Sequence, residues 1–161
     1  MFERFARSTR TAVTDAGAEA GRRGDRRVGT EHLLLGLLDD PAGAAAAQLG
    51  VDVAGARAAL DGLDAEALAS VGIDVTGFQP APPVRSAVRL LGPGRVPFTA
   101  GAKEALGRTV HSAAVRKAGR IEPQDLLLAL LDCAAPDPAS ELLDRFGVDR
   151  AVVRARLLAA A

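Results

Sequence analysis

The sequence predicts an all-α fold made of two pseudo-symmetric four-helix repeats packed as one domain. The main observation is an internal duplication: residues 28–39, VGTEHLLLGLLD, return 93 positions later as residues 121–132, IEPQDLLLALLD, with six of the twelve aligned positions identical. The second observation is composition. The chain has neither Trp nor Tyr and only five Phe among 161 residues. Its apolar content therefore comes mostly from Ala and Leu, which favour helix. A repeat of this kind is stronger evidence for the architecture than any single motif.

Further anchors extend the duplication along the chain. Phe5 aligns with Phe98 at the same offset, and the motif at 50–52 aligns with 147–149 at an offset of 97. The four extra residues fit the proline-bearing segment 135–139. We therefore divide the chain into repeat 1, a partly helical linker and repeat 2, at residues 1–62, 63–96 and 97–161.

Repeat 1 is predicted to begin with two helices. The first covers residues 5–23 and ends at the glycines 21 and 24, because glycine adopts the backbone conformation that closes a helix. Thr30 is the expected N-cap of the second helix, and Glu31 adds first-turn negative charge that the helix dipole favours. The leucines at 33, 34, 37 and 38 form one apolar stripe.

Two shorter helices complete repeat 1. The sequence Asp-Asp-Pro at 39–41 ends the second helix, and residues 44–49 form a third that Gly50 closes. Asp52 is the expected N-cap of a fourth helix, which carries apolar residues as far as Leu60.

Repeat 2 is predicted to follow the same order. Thr99 caps a helix that reaches about residue 118. Pro123 stands in the first turn of the next helix, where proline is well tolerated. Its leucines repeat the apolar stripe. The third helix covers 140–146, and Asp149 caps the last.

The segment between the repeats is predicted to be partly ordered. Residues 64–71 look helical, 72–83 form a loop with three prolines, 84–91 form one more short helix, and 92–95 form a turn. A linker of this length is unusual inside a compact domain.

Composition excludes several classes of protein. Twenty basic and twenty acidic residues balance, so no overall field points to nucleic acid. No apolar run reaches the roughly 20 residues that a membrane span needs, and the first residues hold no apolar signal region. The single cysteine, Cys133, is typical of a small buried residue at a helix end and of a reducing compartment. We predict a cytoplasmic protein.

Catalytic and metal motifs are missing from the sequence. The glycine-rich turn at 92–95 lacks the ending of a phosphate-binding loop, and two His and one Cys lie too far apart for a zinc motif. Spacing alone leaves open a nucleophile pair of Cys133 with His32 or His111. An enzyme of that kind is the last of our hypotheses; the sequence offers no positive case for catalysis, a metal or a cofactor.

The chain resembles the N-terminal domain of the ClpC/ClpA unfoldases over nearly its whole length. The resemblance is carried by FERF at 2–5, GTEHLLLGL at 29–37 and PFT at 97–99, in the family's order and at its repeat spacing. It implies a non-catalytic module that receives degradation substrates and adaptor proteins for an ATP-driven ring. The family's ATPase modules should follow this domain. The chain is therefore expected to be either an excised domain or a free-standing relative without them, and the degenerate second copy and the long linker favour the free-standing relative.

The resemblance also implies a ligand pocket. The chain resembles in particular the domain of Gram-positive ClpC proteins, in which a Thr-Glu-His motif in each repeat helps to form a binding site for phosphorylated arginine. Here Thr30, Glu31 and His32 keep the motif. A carboxylate suits the guanidinium end, while a hydroxyl and helix amides suit the phosphoryl end. At the aligned positions repeat 2 has Pro123, Gln124 and Asp125. We therefore expect one pocket of two, or none; without the resemblance, the triplet would be a helix cap with a satisfied histidine.

A second surface follows from the same resemblance. In actinobacterial ClpC, apolar cyclic peptide antibiotics bind where the first helices of the repeats meet. The matching positions are Phe2, Arg10, Val13, Phe98, Lys103 and Leu106. Gly107 stands where the family has an acidic residue, and the aromatic positions could equally be core. The alternative function is therefore a decoy that sequesters such a peptide. Arg57 and Arg154, on matched fourth helices, are expected to be surface or packing charges.

Overall fold

The computed structural model describes residues 2–77 and 97–160, apart from the side chain of Phe2. A short 3-10 helix at Phe2–Arg4 precedes the α-helices. The helices of the described residues are α1 (Arg7–Arg23), α2 (Thr30–Leu38), α3 (Ala44–Leu49), α4 (Val53–Ser70), α5 (Ala100–Val115), α6 (Pro123–Leu131), α7 (Pro138–Arg145) and α8 (Arg150–Ala159). The all-α fold is confirmed. The predicted helix at 84–91 and the turn at 92–95 lie outside the described residues.

The first helix begins later than predicted. Phe5 forms an isolated parallel bridge with Ile121 and lies outside helix α1. The backbone amide of Ala6 donates to the carbonyl of Ile121 at 2.9 Å, and the amide of Ile121 donates to Arg4 at 2.9 Å. These bonds hold the chain extended up to Ala6. The predicted end is correct, because Gly24 has a φ of 77° and caps the helix in the left-handed conformation.

Helix α2 has a different cap from the one predicted. Gly29 is the N-cap and Thr30 is the first helical residue. The Thr30 hydroxyl bonds instead to Asp137, which precedes helix α7. A capping side chain bonds within its own first turn, and Thr30 does not. The helix ends at Leu38, as the Asp-Asp-Pro sequence predicted.

The predicted caps of three other helices are confirmed. The carboxylate of Asp52 accepts from the Gly55 amide at 2.7 Å. The hydroxyl of Thr99 accepts from the Ala102 amide at 3.1 Å. Asp149 accepts from the Val152 amide at 3.0 Å in the same way.

Three helix lengths differ from the prediction. Helix α4 runs without a break from Val53 to Ser70. The predicted fourth helix and the predicted helix at 64–71 are therefore one helix, which continues past residue 62, the expected end of repeat 1. Helix α5 ends at Val115, three residues early, before a turn in which Lys117 has a φ of 55°. Helix α7 begins at Pro138 because Asp137 accepts from the amides of Ala139 and Ser140.

The two repeats are joined by reciprocal bridges. Phe5 pairs with Ile121, and the residue aligned with Phe5, Phe98, pairs with Val28. The amide of Val28 donates to the carbonyl of Pro97, and the amide of Thr99 donates to Val28, each at 2.9 Å. Since each bridge repeats the other with the repeats exchanged, the duplication produces a pseudo-twofold arrangement.

The leucines of α2 and α6 lie at the centre of the core. All five leucines of α2 are buried, as are four of the five in α6. Helix α1 packs closely along α2 at Gly36, whose α-carbon lies so near the backbone of α1 that an added Cβ would overlap the Ala12 carbonyl. Among the described residues, no helix has both the length and the apolar character that crossing a membrane demands.

Candidate functional site

The predicted ligand triplet lies at the N-terminus of α2. Thr30 and His32 are buried, with relative exposures of 1% and 0%. Glu31 lies between them, and 16% of its side chain is exposed. Glu31 is therefore the member of the triplet that a ligand can reach directly.

His32 holds the first turn of α2 together. Its Nδ1 accepts from the backbone amide of Gly29 at 3.0 Å, and its Nε2 lies 3.1 Å from a carboxylate oxygen of Asp25. The same Nδ1 lies 3.0 Å from Oε1 of Glu31. Both ring nitrogens thus face groups inside the protein, and the ring closes the helix terminus beside the Glu31 carboxylate.

Glu31 is kept ionised in this setting. Burial pushes the pKa of its carboxyl upward, but the hydrogen bond and charge of His32, a bond to its own backbone amide and the charge of Arg23 outweigh burial. The pKa of Glu31 is therefore lowered from its ordinary value. Within the described part of the chain, its Oε2 is buried and accepts no hydrogen bond. The carboxylate is folded back over Gly29, so a donor from outside would reach this oxygen after the side chain turns outward.

Thr30 connects this pocket to repeat 2. Its hydroxyl lies 3.0 Å from both carboxylate oxygens of Asp137, and the Ala139 amide approaches the same hydroxyl at 3.4 Å. Gly101 lies beside them, since an added Cβ would come within 3.3 Å of Asp137. We call the predicted ligand site, formed by Thr30, Glu31 and His32 with the neighbours of Thr30, Gly101 and Asp137, the Glu31 pocket.

The equivalent position in repeat 2 is used differently. Asp125 aligns with His32, and its carboxylate accepts from the backbone amide of Glu122 at 2.9 Å while pairing with Arg116. Only 3% of the Asp125 side chain is exposed. It therefore caps its own helix as His32 does and is not presented to a ligand. Gln124, aligned with Glu31, is partly exposed and uncharged.

The predicted peptide groove is only partly at the surface. Val13 and Leu106 are core residues, with exposures of 4% and 1%. Arg10 and Lys103 are exposed, and Phe98 is partly buried. The side chain of Phe2 lies outside the described residues. The structure thus separates the predicted positions into buried apolar and exposed basic groups.

Cys133 occupies the place predicted for it. It is 6% exposed and follows the cap of helix α6. Burial, with a contribution from Asp137, raises the pKa of the thiol to about 11, although Arg108 acts in the opposite direction. A thiol in this state is a poor nucleophile.

One acidic cavity was not predicted from the sequence. It measures about 650 Å³ and lies between α1, α3, the end of α2 and the start of α6. Its walls carry the carboxylates of Asp15, Asp39, Asp40 and Glu122. Burial raises the pKa of Asp15, helped by the charges of Asp39 and Glu19. The only sequence signal was the pair at 39–40, which also ends a helix. In the described ranges, no three His, Cys, Asp or Glu side chains are grouped so as to hold a metal ion.

Comparison with known proteins gives consistent results. A family model described as the Clp repeat (R) N-terminal domain matches residues 4–90. An ATP-dependent Clp protease ATP-binding subunit ClpA homolog of Cyanidium caldarium is 27% identical over 161 residues, covering 98% of this chain and 16% of that protein. Chaperone protein ClpC1, chloroplastic, of Arabidopsis thaliana is also 27% identical, and 15% of it is covered. The chain therefore spans about one sixth of the length of these relatives.

A solved structure shares the fold. The N-terminal domain of the caseinolytic protease associated chaperone ClpD from Arabidopsis thaliana superposes with a TM-score of 0.70 at 23% identity, and 99% of each chain is covered.

Proposed function

This chain belongs to the Clp repeat (R) N-terminal domain family, and we propose that it is a non-catalytic protein-binding module that receives degradation substrates or adaptor proteins. Its partners are proteins or peptides, among them a Clp unfoldase ring. The finer part of the proposal is that the Glu31 pocket binds phosphorylated arginine on such a protein.

The observation that carries this proposal is the state of Glu31. Its side chain is partly exposed, its carboxylate is ionised, and one buried carboxylate oxygen has no hydrogen-bond donor among the described residues. A guanidinium presents parallel N–H groups to a carboxylate, and such charge-assisted bonds are roughly twice as strong as neutral ones. Turning outward to meet a guanidinium would therefore give Glu31 the donors that this oxygen lacks inside the protein.

Asp137 sets a condition on the phosphoryl end of the ligand. Its carboxylate occupies the Thr30 hydroxyl and the first amides of α7, and these are the donors that a phosphoryl group would use. Binding of phosphoarginine requires Asp137 to give up the Thr30 hydroxyl. Otherwise the Asp137 carboxylate and the phosphoryl group, which are both negatively charged, would repel each other at short range.

Calorimetric titration with phosphoarginine tests the pocket, with arginine and inorganic phosphate as controls. We expect one site per chain. Glu31→Gln should remove binding while costing only about 0.3–1 kcal/mol of stability, since it changes one first-turn charge. Glu66→Gln is the control, because Glu66 is an exposed glutamate of α4 outside the pocket; it should bind like the wild type.

A second variant examines the phosphoryl end. Asp137→Asn keeps a good helix cap and removes the competing charge, so phosphoarginine should bind more tightly while arginine does not. Wild-type affinity in Glu31→Gln would exclude the pocket. A cyclic peptide antibiotic titrated alongside examines the alternative: tight peptide binding without phosphoarginine binding would replace the proposal with the sequestering role.

A further inference from the structure

We propose that a groove in repeat 2 binds an acidic peptide segment of a partner protein, with a carboxylate on Arg154 and apolar side chains against Val115 and Leu158. The groove measures about 380 Å³ and lies between α5, α6 and α8. The proposal rests on the protein-binding role inferred above. It concerns a different surface, because none of the residues of the Glu31 pocket lines this groove.

In repeat 1, a carboxylate of the protein itself fills the place that corresponds to this groove. There Arg57, aligned with Arg154, is bound by both oxygens of Glu19, at 3.1 Å through Nε and at 2.6 Å through Nη2. Glu19 comes from α1, and only 3% of its side chain is exposed. A buried carboxylate thus lies between α1, α2 and α4 and forms a two-point bond with the arginine.

Repeat 2 keeps the arginine and loses this carboxylate. Ser112, which lines the groove and is exposed, aligns with Glu19. Among the described residues, the ion pair of Arg154 is with Asp132, which corresponds to the outer contact of Arg57 with Asp39 at 3.6 Å. A guanidinium has five N–H donors, so Arg154 retains donors for a second carboxylate at the place where Glu19 lies in repeat 1.

The same exchange occurs around a second arginine. In repeat 1, Arg23 forms ion pairs with Asp61, Asp64 and Asp25. Arg116 is the aligned arginine and pairs with Asp125. The residues aligned with Asp61 and Asp25 are Leu158 and Ala118. Around Arg116, repeat 2 has therefore replaced Asp61 and Asp25 with apolar residues and supplies one carboxylate, Asp125, from α6.

Exposed apolar side chains border the basic groups of the groove. Val115 is 68% exposed and Leu158 is 51% exposed, and both line the cavity. The groove wall also holds Asp125 and Asp132, each paired with one of the two arginines, so a partner with few, spaced carboxylates suits it better than a uniformly anionic polymer such as a nucleic acid. A peptide that alternates carboxylates with apolar side chains matches this mixture of charge and apolar surface.

A fluorescein-labelled, acetylated and amidated heptapeptide of alternating leucine and glutamate is the probe. Fluorescence anisotropy with the whole chain should show saturable binding at one site. Replacing the glutamates of the probe with glutamine should weaken binding about tenfold, as should Arg154→Gln. Ser112→Glu should block the groove by rebuilding the ion pair of repeat 1. Arg26→Gln removes an exposed arginine elsewhere and should leave affinity within twofold of the wild type.

Thermal unfolding of each variant by circular dichroism separates loss of the groove from loss of the fold. Ser112→Glu adds a partner for Arg154, so it should unfold no earlier than the wild type while failing to bind. Any one of three results would overturn the proposal. These are absence of saturable binding, unchanged affinity in Arg154→Gln and Ser112→Glu, and tighter binding of a single-stranded oligonucleotide to the same groove. Arg154→Gln should leave phosphoarginine titrations unchanged and Glu31→Gln should leave peptide binding unchanged, so the two proposals fail independently.

Discussion

At the scale of single residues, two different side chains at one aligned position close the first turn of their helices in the same way. His32 and Asp125 each accept a hydrogen bond from the N-cap amide of their own helix, at 3.0 and 2.9 Å. Such a bond satisfies one of the amides that a helix N-terminus leaves without a partner. We therefore expect His32 to hold the first turn of α2 and not to contact a ligand directly.

Cys133 provides a prediction about pH. Because its pKa is raised to about 11, only about one thiol in a thousand is ionised at pH 8, against roughly a quarter in an unfolded chain. Iodoacetamide should therefore alkylate the native protein at least tenfold more slowly than the urea-unfolded protein at pH 8. The native rate should rise as the pH approaches 11, where the thiol loses its proton. Equal rates in the two states at pH 8 would show that Cys133 is accessible and ordinary.

At the scale of helices, the duplication is not uniform. Helix α1 approaches α2 closely at Gly36, while the aligned residue of α6 is Ala129, whose side chain is accommodated and buried. An added Cβ at Gly36 would overlap the Ala12 carbonyl and lie 2.7 Å from the Ala16 amide. The atoms in the way are backbone, so no side-chain rotation can relieve the overlap. The close pair α1–α2 holds the pocket-bearing helix in place.

We expect Gly36→Ala to cost about 2–3 kcal/mol of unfolding free energy, at the upper end of overpacking. Gly62→Ala is the control, since Gly62 lies inside α4 with no atom within 4 Å of an added Cβ. That change should be neutral or stabilise by about 0.4–1 kcal/mol. Urea denaturation followed by circular dichroism measures both. A wild-type midpoint for Gly36→Ala would contradict the close approach.

At the scale of the whole molecule, the two repeats share one core and one set of bridges. Strand-like residues of each repeat bond to the other, and helix α2 packs against α5, α6 and α7 of repeat 2. Neither set of leucines can therefore be exposed to water without disturbing the other. This predicts a single cooperative unfolding transition despite the duplicated sequence.

Leu34 and Leu127 are aligned, and both are fully buried. Replacing either with alanine should lower the unfolding free energy by about 2–5 kcal/mol and move the same transition. Leu68→Ala, at a 38% exposed position of α4, should change it by less than about 0.5 kcal/mol. The chain lacks Trp and Tyr, so backbone circular dichroism is the appropriate signal. Two separate transitions, each sensitive to one leucine, would mean that the repeats unfold independently.

The sequence by itself determined the helices and their order. The duplication, the leucine stripes and the caps at Asp52, Thr99 and Asp149 are local signals, because a capping side chain and its amide lie within one turn. Gly24 and Gly50 also mark helix ends locally, because glycine adopts the left-handed conformation that closes a helix. The family motif also pointed to Glu31, while its ligand remains a prediction.

Only the tertiary structure decided how those local elements are used. Thr30 bonds to a residue 107 positions away, so its sequence neighbours could not reveal that it joins the repeats instead of capping a helix. Phe5 was assigned to a helix but bridges to Ile121, and Val13 and Leu106 turned out to lie in the core. The open groove of repeat 2 lies where repeat 1 has the contact between Glu19 of α1 and Arg57 of α4. Such contacts form when distant segments pack together, and no local periodicity encodes them.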